Sequence, residues 1–103
     1  MNICTLPLTD CTPTMPKLIR LNIFEKIGSK YEDFGILLLE DEEGEKVKAI
    51  EKEQRGEAVS INREIFREWL RRRGATPVSW RTLVNVLNDV GLKTLATDIT
   101  NTL

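Results

Sequence analysis

Residues 60–70 read SINREIFREWL, and this stretch decides the fold of the chain. Its apolar residues recur at the spacing of one helix face, namely Ile61, Ile65, Phe66, Trp69 and Leu70. This pattern predicts an amphipathic helix with one buried face and one charged face. Ser60 is expected to cap its first turn, because a serine hydroxyl accepts from a free backbone N–H there. Gly74 and Pro77 follow, so the helix is expected to end near Gly74.

Two further helices are predicted downstream. Ser79 is expected to cap the first of them, which ends at Gly91. Its apolar face is formed by Trp80, Leu83, Val84 and Leu87. The last helix buries Leu92, Leu95, Ala96 and Ile99. Both sets keep the helical period, so neither segment is read as a strand.

Three helices are predicted upstream of residue 60. The first carries Ile19, Ile23 and Ile27 on one face and ends near Gly28. The second runs from Tyr31 past Leu38, and the third is short. Because no segment alternates with period two, the sequence predicts an all-α, six-helix antiparallel bundle. Its expected core consists of Ile23, Phe24, Ile27, Phe34, Leu38, Val47, Ile50, Ile65, Trp69, Trp80, Leu83, Leu87, Leu95 and Ile99.

Residues 1–16 differ in composition from the rest, since three prolines interrupt any periodicity. They are interpreted as a flexible leader, and residues 17–103 as the domain. Cys4 and Cys11 both lie in this leader and are expected to be free thiols, with a disulfide within the leader or an intermolecular link as the alternatives. Two cysteines do not indicate a secreted disulfide scaffold, so a reducing cytoplasm is expected.

The composition excludes several classes of function. The chain of 103 residues has a formal net charge of −1 and no histidine. Ser-His and Cys-His nucleophile pairs are therefore absent, and no glycine spacing resembles a phosphate loop. We expect neither an enzyme nor a site for a metal, a cofactor or a small-molecule substrate. The longest apolar run, residues 36–39, is too short to insert in a membrane.

Four stretches together resemble a death domain. Residues 27–38, IGSKYEDFGILL, are similar to the first two helices of that family, where an aromatic residue begins the second helix and a glycine lies inside it. Residues 65–70, 79–83 and 91–99 resemble its fourth, fifth and sixth helices, so the resemblance covers residues 17–103. The chain departs from many members in carrying Tyr31 in place of Trp. The caspase-recruitment and death-effector domains of the same superfamily are the nearest alternatives.

The resemblance implies a non-enzymatic protein–protein interaction module. Death domains act as adaptor or receptor modules in cytoplasmic signal transduction, in apoptosis and innate immunity. Their partners are other death-domain proteins, and they self-associate into helical oligomers. Contacts of that kind join different patches on successive copies and need not close into a ring.

Two clusters of charge are candidate partner-binding surfaces. The acidic turn comprises Glu40, Asp41, Glu42 and Glu43. The arginine stripe comprises Arg63, Arg67, Arg71, Arg72 and Arg73. The first three arginines fall four residues apart on one line of a helix, opposite Trp69. Each cluster alone is compatible with an ordinary solvated face. Together they suggest two opposite poles that bind head to tail.

An alternative from a different class is a DNA-binding helix-turn-helix protein with Arg63–Arg73 as its recognition helix. The net charge of −1 argues against it, because a DNA reader usually presents a dominant basic face. We therefore expect no nucleic-acid partner. A structural helical domain without a partner of its own kind is a third possibility.

Overall fold

The computed structural model describes residues 10–72 and 77–102, and these residues form helices and turns only. The elements are α1 Met15–Arg20, α2 Ile23–Ile27, a 3-10 turn Gly28–Lys30, α3 Tyr31–Leu39, α4 Glu45–Glu53, α5 Ala58–Leu70, α6 Trp80–Asp89 and α7 Lys93–Thr102. With α1 and α2 taken as halves of one interrupted helix, the described residues contain six helices. The prediction of an all-α fold is confirmed.

The core is built around the ring of Phe66. The centroids of Phe24 and Phe34 each lie 5.4 Å from that of Phe66, and the centroid of Trp69 lies 6.0 Å away. Every residue of the predicted core is buried. The spacing of these apolar residues therefore predicted the inner faces of their helices. Burial of apolar area is the main favourable term in folding, so the apolar side of a helix faces the core.

The first helix is interrupted, which the sequence did not predict. Asn22 adopts φ of 55°, a left-handed conformation that asparagine tolerates better than most residues. The chain therefore turns between α1 and α2, and the continuous face expected from Ile19 to Ile27 is wrong. Leu18 is buried in α1, whereas Ile19 is 53% exposed.

The two predicted serine caps have different outcomes. Ser79 caps α6 as expected, since the backbone N–H of Thr82 donates to its Oγ over 3.2 Å. Ser60 does not cap α5. That helix begins at Ala58, and the carbonyl of Glu57 already accepts from the N–H of Ile61. The predicted stop at Gly74 lies outside the described residues, and α5 ends at Leu70.

Residues 10–16 are packed against the bundle, although the sequence assigned them to the leader. The N–H of Trp80 donates to the carbonyl of Cys11 over 3.1 Å, and Arg81 pairs with Asp10 over 2.8 Å. Pro13 is buried, and α1 begins at Met15. Cys11 is disulfide-bonded, so the expectation of a free thiol is wrong for this residue. Cys4 and the rest of residues 1–9 lie outside the described part.

Two small residues fix how the helices approach one another. A Cβ on Gly35 would lie 2.9 Å from methyl groups of both Ile65 and Val47, so any larger residue at the crossing of α3 with α5 and α4 would force these side chains to shift. Asn62 is fully buried in α5, and its Nδ2 donates to the carbonyls of Phe24 and Gly28. The Phe24 carbonyl also accepts from the N–H of Gly28, so the bonds of Asn62 reinforce the end of α2 and hold α5 against it.

Candidate interaction surfaces

The arginine stripe lies on the outer face of α5. Arg63, Arg67 and Arg71 are all exposed, and Trp69 on the opposite face is 2% exposed. Arg72, just after the helix, is half-buried and has an interaction partner. Arg73 lies outside the described residues. The part of the stripe that the structure describes is thus a line of three exposed guanidinium groups.

Two of these guanidinium groups are paired within α5. Arg67 donates to Glu64 over 2.7 Å, and Arg71 donates to Glu68 over 2.9 Å. Arg63 makes no ion pair or side-chain hydrogen bond with any described residue. The positive charge of the stripe is therefore partly compensated along the helix and is least compensated at Arg63.

Glu68 lies between two cations. Besides Arg71 it contacts Lys46, whose Nζ lies 3.3 Å from its Oε1. The hydrogen bond and charge of Lys46, with a further contribution from Arg71, hold the pKa of Glu68 below its ordinary value, against a smaller opposing effect of burial. Glu68 therefore stays ionised and ties the start of α4 to the end of α5.

The acidic turn is a structured connection between α3 and α4. Oδ2 of Asp41 accepts from the N–H groups of Lys46 and Val47, over 2.9 and 3.1 Å. Asp41 therefore caps the first turn of α4, whose free N–H groups need acceptors. A carboxylate that serves the backbone in this way is less available to a partner.

The other members of the turn play different parts. Glu40 has φ of 53°, and the N–H of Asp41 donates back to the carbonyl of Ile36 over 2.9 Å. This bond closes the end of α3 in the usual left-handed manner. Glu42 and Glu43 are exposed, and no described residue forms an ion pair with them. The carboxylates of Glu40, Glu42 and Glu43 thus have no ion-pair partner among the described residues, in contrast to the side chain of Asp41.

Lys46 connects the acidic turn to the arginine stripe. Its backbone binds Asp41, its side chain binds Glu68, and Glu68 binds Arg71. Arg63 lies two turns before Arg71, roughly 12 Å from it along the helix axis. The acidic turn and the arginine stripe, which the sequence predicts to be separate poles, therefore lie closer together at Arg71 than at Arg63. No local pattern predicts this link, because it depends on how α4 packs on α5.

A surface that the sequence analysis missed surrounds Leu37, which is 46% exposed. Its apolar part consists of Ile36, Leu37 and Val90, and its rim consists of Asp33, Glu40, Glu42 and Asp89. We call this set the acidic apolar patch. The spacing of residues 33, 37 and 40 places them on one face of α3, so a helical projection of that segment would have found it.

No metal-binding cluster occurs among residues 10–72 and 77–102. The same residues contain no helix of sufficient length and apolar character to span a bilayer. No family model, curated protein or solved structure matches the chain. Function must therefore be inferred from the surfaces themselves.

Proposed function

We propose that the chain is a non-enzymatic interaction module of the death-fold type that associates with other death domains and with copies of itself. Its setting would be cytoplasmic signalling of the apoptotic or innate-immune kind. The observation that carries the proposal is the division of α5 into two faces. One face buries aromatic side chains, and the other presents three arginines to solvent.

The positions of the helices are consistent with the resemblance. Tyr31 begins α3, and Gly35 lies inside it at a close helix crossing. Ser79 and Trp80 begin α6, and Leu95 and Ile99 form the buried face of α7. These stretches therefore lie on helices, which supports the proposal.

The surfaces are suited to contacts that depend on several charges at once. An exposed ion pair contributes only about 0.2–1 kcal/mol, so one pair would be inadequate. Complementary charge mainly sets the encounter rate and the choice of partner. Arginine also binds carboxylates through two parallel hydrogen bonds, which favours partners with acidic surfaces. Association of this kind should weaken as salt is added.

The test is charge reversal on the stripe, with Arg67→Glu and Arg71→Glu in the same chain. Association with purified death domains should be lost at low salt, and self-association should be weakened. Sedimentation velocity measures self-association, and interferometry measures binding to the purified death domains. The matched control is Lys48→Glu with Lys52→Glu, which changes the charge equally on exposed positions of α4. The control should bind as the unmodified chain does.

A companion variant separates loss of contact from new repulsion. The reversal would place carboxylates beside Glu64 and Glu68, so Arg67→Gln with Arg71→Gln is measured as well. Both variants should melt close to the unmodified chain, because the arginines face solvent. Binding that survives both variants would show that the stripe is a solvated face. Salt-sensitive binding to duplex DNA that is lost with the arginines would instead favour the helix-turn-helix alternative.

A further inference from the structure

Two large hydrophobic side chains are exposed in the described part of the chain, Ile19 at 53% and Leu37 at 46%. Isolated exposed hydrophobic residues are common and need no explanation by themselves. These two differ from that case because the charges beside them have opposite signs. Carboxylates surround Leu37, whereas Arg20 adjoins Ile19. Their surroundings therefore indicate what each could contact.

Leu37 lies in a wholly acidic setting. The two shallow concavities beside it are lined by apolar side chains and by four carboxylates, with no lysine or arginine. None of these four carboxylate side chains forms an ion pair with a described residue. The acidic apolar patch therefore fits an occupant that inserts an apolar side chain and brings a cation beside it.

Ile19 lies beside an exposed cation, Arg20, on a helix that contains no acidic residue. The other basic residue of α1, Lys17, has its Nζ 5.9 Å from the centroid of the Trp80 ring. Arg20 is exposed and forms no ion pair with the described residues. Met15, one turn earlier on the same face, is half-buried. The chain turns at Asn22, directly after α1, and Ile19 does not continue the buried face of α2.

We infer that the Ile19–Arg20 face of α1 docks on the acidic apolar patch of a second copy of the chain. Ile19 would pack against Leu37, and Arg20 would lie among the carboxylates of the rim. The inference rests on the proposed function, because it names the partner surfaces of self-association. The two surfaces are different and lie on one molecule, so the contact joins copies head to tail.

The face on α1 fits this patch better than the arginine stripe does. Arg67 and Arg71 are already paired with glutamates of α5. Neither of the two large exposed hydrophobic side chains lies on that helix. Interfaces are usually anchored by a few desolvated side chains, with charges at the rim. The α1 face supplies both an exposed apolar side chain, Ile19, and an exposed cation beside it, Arg20.

Two single variants test the inference, each disabling one surface. Leu37→Lys places a cation in the acidic patch, and Ile19→Glu places a carboxylate on the basic face. Each should weaken self-association by about tenfold or more in sedimentation velocity at low salt. Thr97→Lys and Thr97→Glu are the controls at an exposed position of α7 and should associate normally. Thermal melting checks that all four variants are folded.

Mixing the two defective variants gives the most specific result. Each retains the surface that the other lacks, so an equimolar mixture should form a dimer and no larger species. A mixture that stays monomeric would overturn the head-to-tail contact.

Two other results would overturn this contact between copies without contradicting the proposed interaction with other death domains. In the first, both single variants self-associate normally while the reversal at Arg67 and Arg71 does not. In the second, the unmodified chain stays monomeric up to about 1 mM while it still binds other death domains.

Discussion

The acidic turn and the arginine stripe are both dense in charge, yet the structure uses them differently. In the turn, Asp41 caps α4, and Glu40 occupies the left-handed position that ends α3. In the stripe, Arg67 and Arg71 donate to glutamate side chains of α5, and the fold depends on the opposite face of the helix. The difference follows from backbone chemistry. Helix ends leave N–H and carbonyl groups without partners, whereas the middle of a helix has none to satisfy. Charge at a helix end is therefore more readily committed to the fold than charge along a helix.

The largest expected difference in stability is between substitutions on the two faces of α5. Trp69→Ala should lower the free energy of unfolding by ~3–5 kcal/mol, because it empties a large site in the core. A small domain has only about 5–15 kcal/mol in total, so the variant should be marginally stable. Arg67→Ala, two residues earlier, should cost no more than about 1 kcal/mol through its pair with Glu64. Urea midpoints measure both, and equal midpoints would contradict the assignment of inner and outer faces.

An intermediate effect is expected within the acidic turn. Asp41→Ala removes the cap of α4 and should destabilise the chain by about 1 kcal/mol. Glu42→Ala and Glu43→Ala serve as matched controls, since each removes one exposed carboxylate that has no described partner. They should change stability by less than about 0.5 kcal/mol. Three equal losses in thermal or urea unfolding would mean that the turn acts only through its total charge.

The smallest effect concerns Glu68, which links the two regions. Its pKa is lowered in the folded chain, so its stabilising contribution is present above the ordinary value of 4.5 and is lost as the pH falls below it. Glu68→Gln should therefore cost up to about 1 kcal/mol at neutral pH and progressively less in acid. The measurement is urea unfolding as a function of pH.

Glu53→Gln, at an exposed position of α4 with no ion pair among the described residues, is the control and should change stability by less than about 0.5 kcal/mol. A constant difference between Glu68→Gln and the unmodified chain across the acid range would contradict the proposed link through Lys46.

The parts of the fold that could be predicted depend on local periodicity. The inner faces of α3 to α7 follow from spacing alone, because a helix repeats its environment every three to four residues. Ile19 was misplaced for the same reason, since a period cannot show that the chain turns at Asn22. Ser60 was misread because both Ser60 and Glu57 precede the apolar run, and only the backbone geometry distinguishes them.

The candidate surfaces could be predicted less completely than the core. The exposure of Arg63, Arg67 and Arg71 followed from their phase relative to Trp69. The capping role of Asp41 did not, because its bonds to Lys46 and Val47 depend on the path of the turn. Contacts between distant parts of the chain, such as that of Lys46 with Glu68, leave no local pattern in the sequence.

The bond between Trp80 and Cys11 bears on the order in which the chain is assembled. A ribosome releases residue 11 long before residue 80, so the first backbone donor of α6 finds this acceptor only when most of the bundle has been made. Closing so long a loop costs entropy that local contacts do not. The hairpin of α4 and α5 can form early from neighbouring residues, whereas α6 is completed by a segment that was synthesised much earlier than α6 itself. Vectorial synthesis thus favours late docking of α6, and truncation before residue 15 should slow or weaken that step.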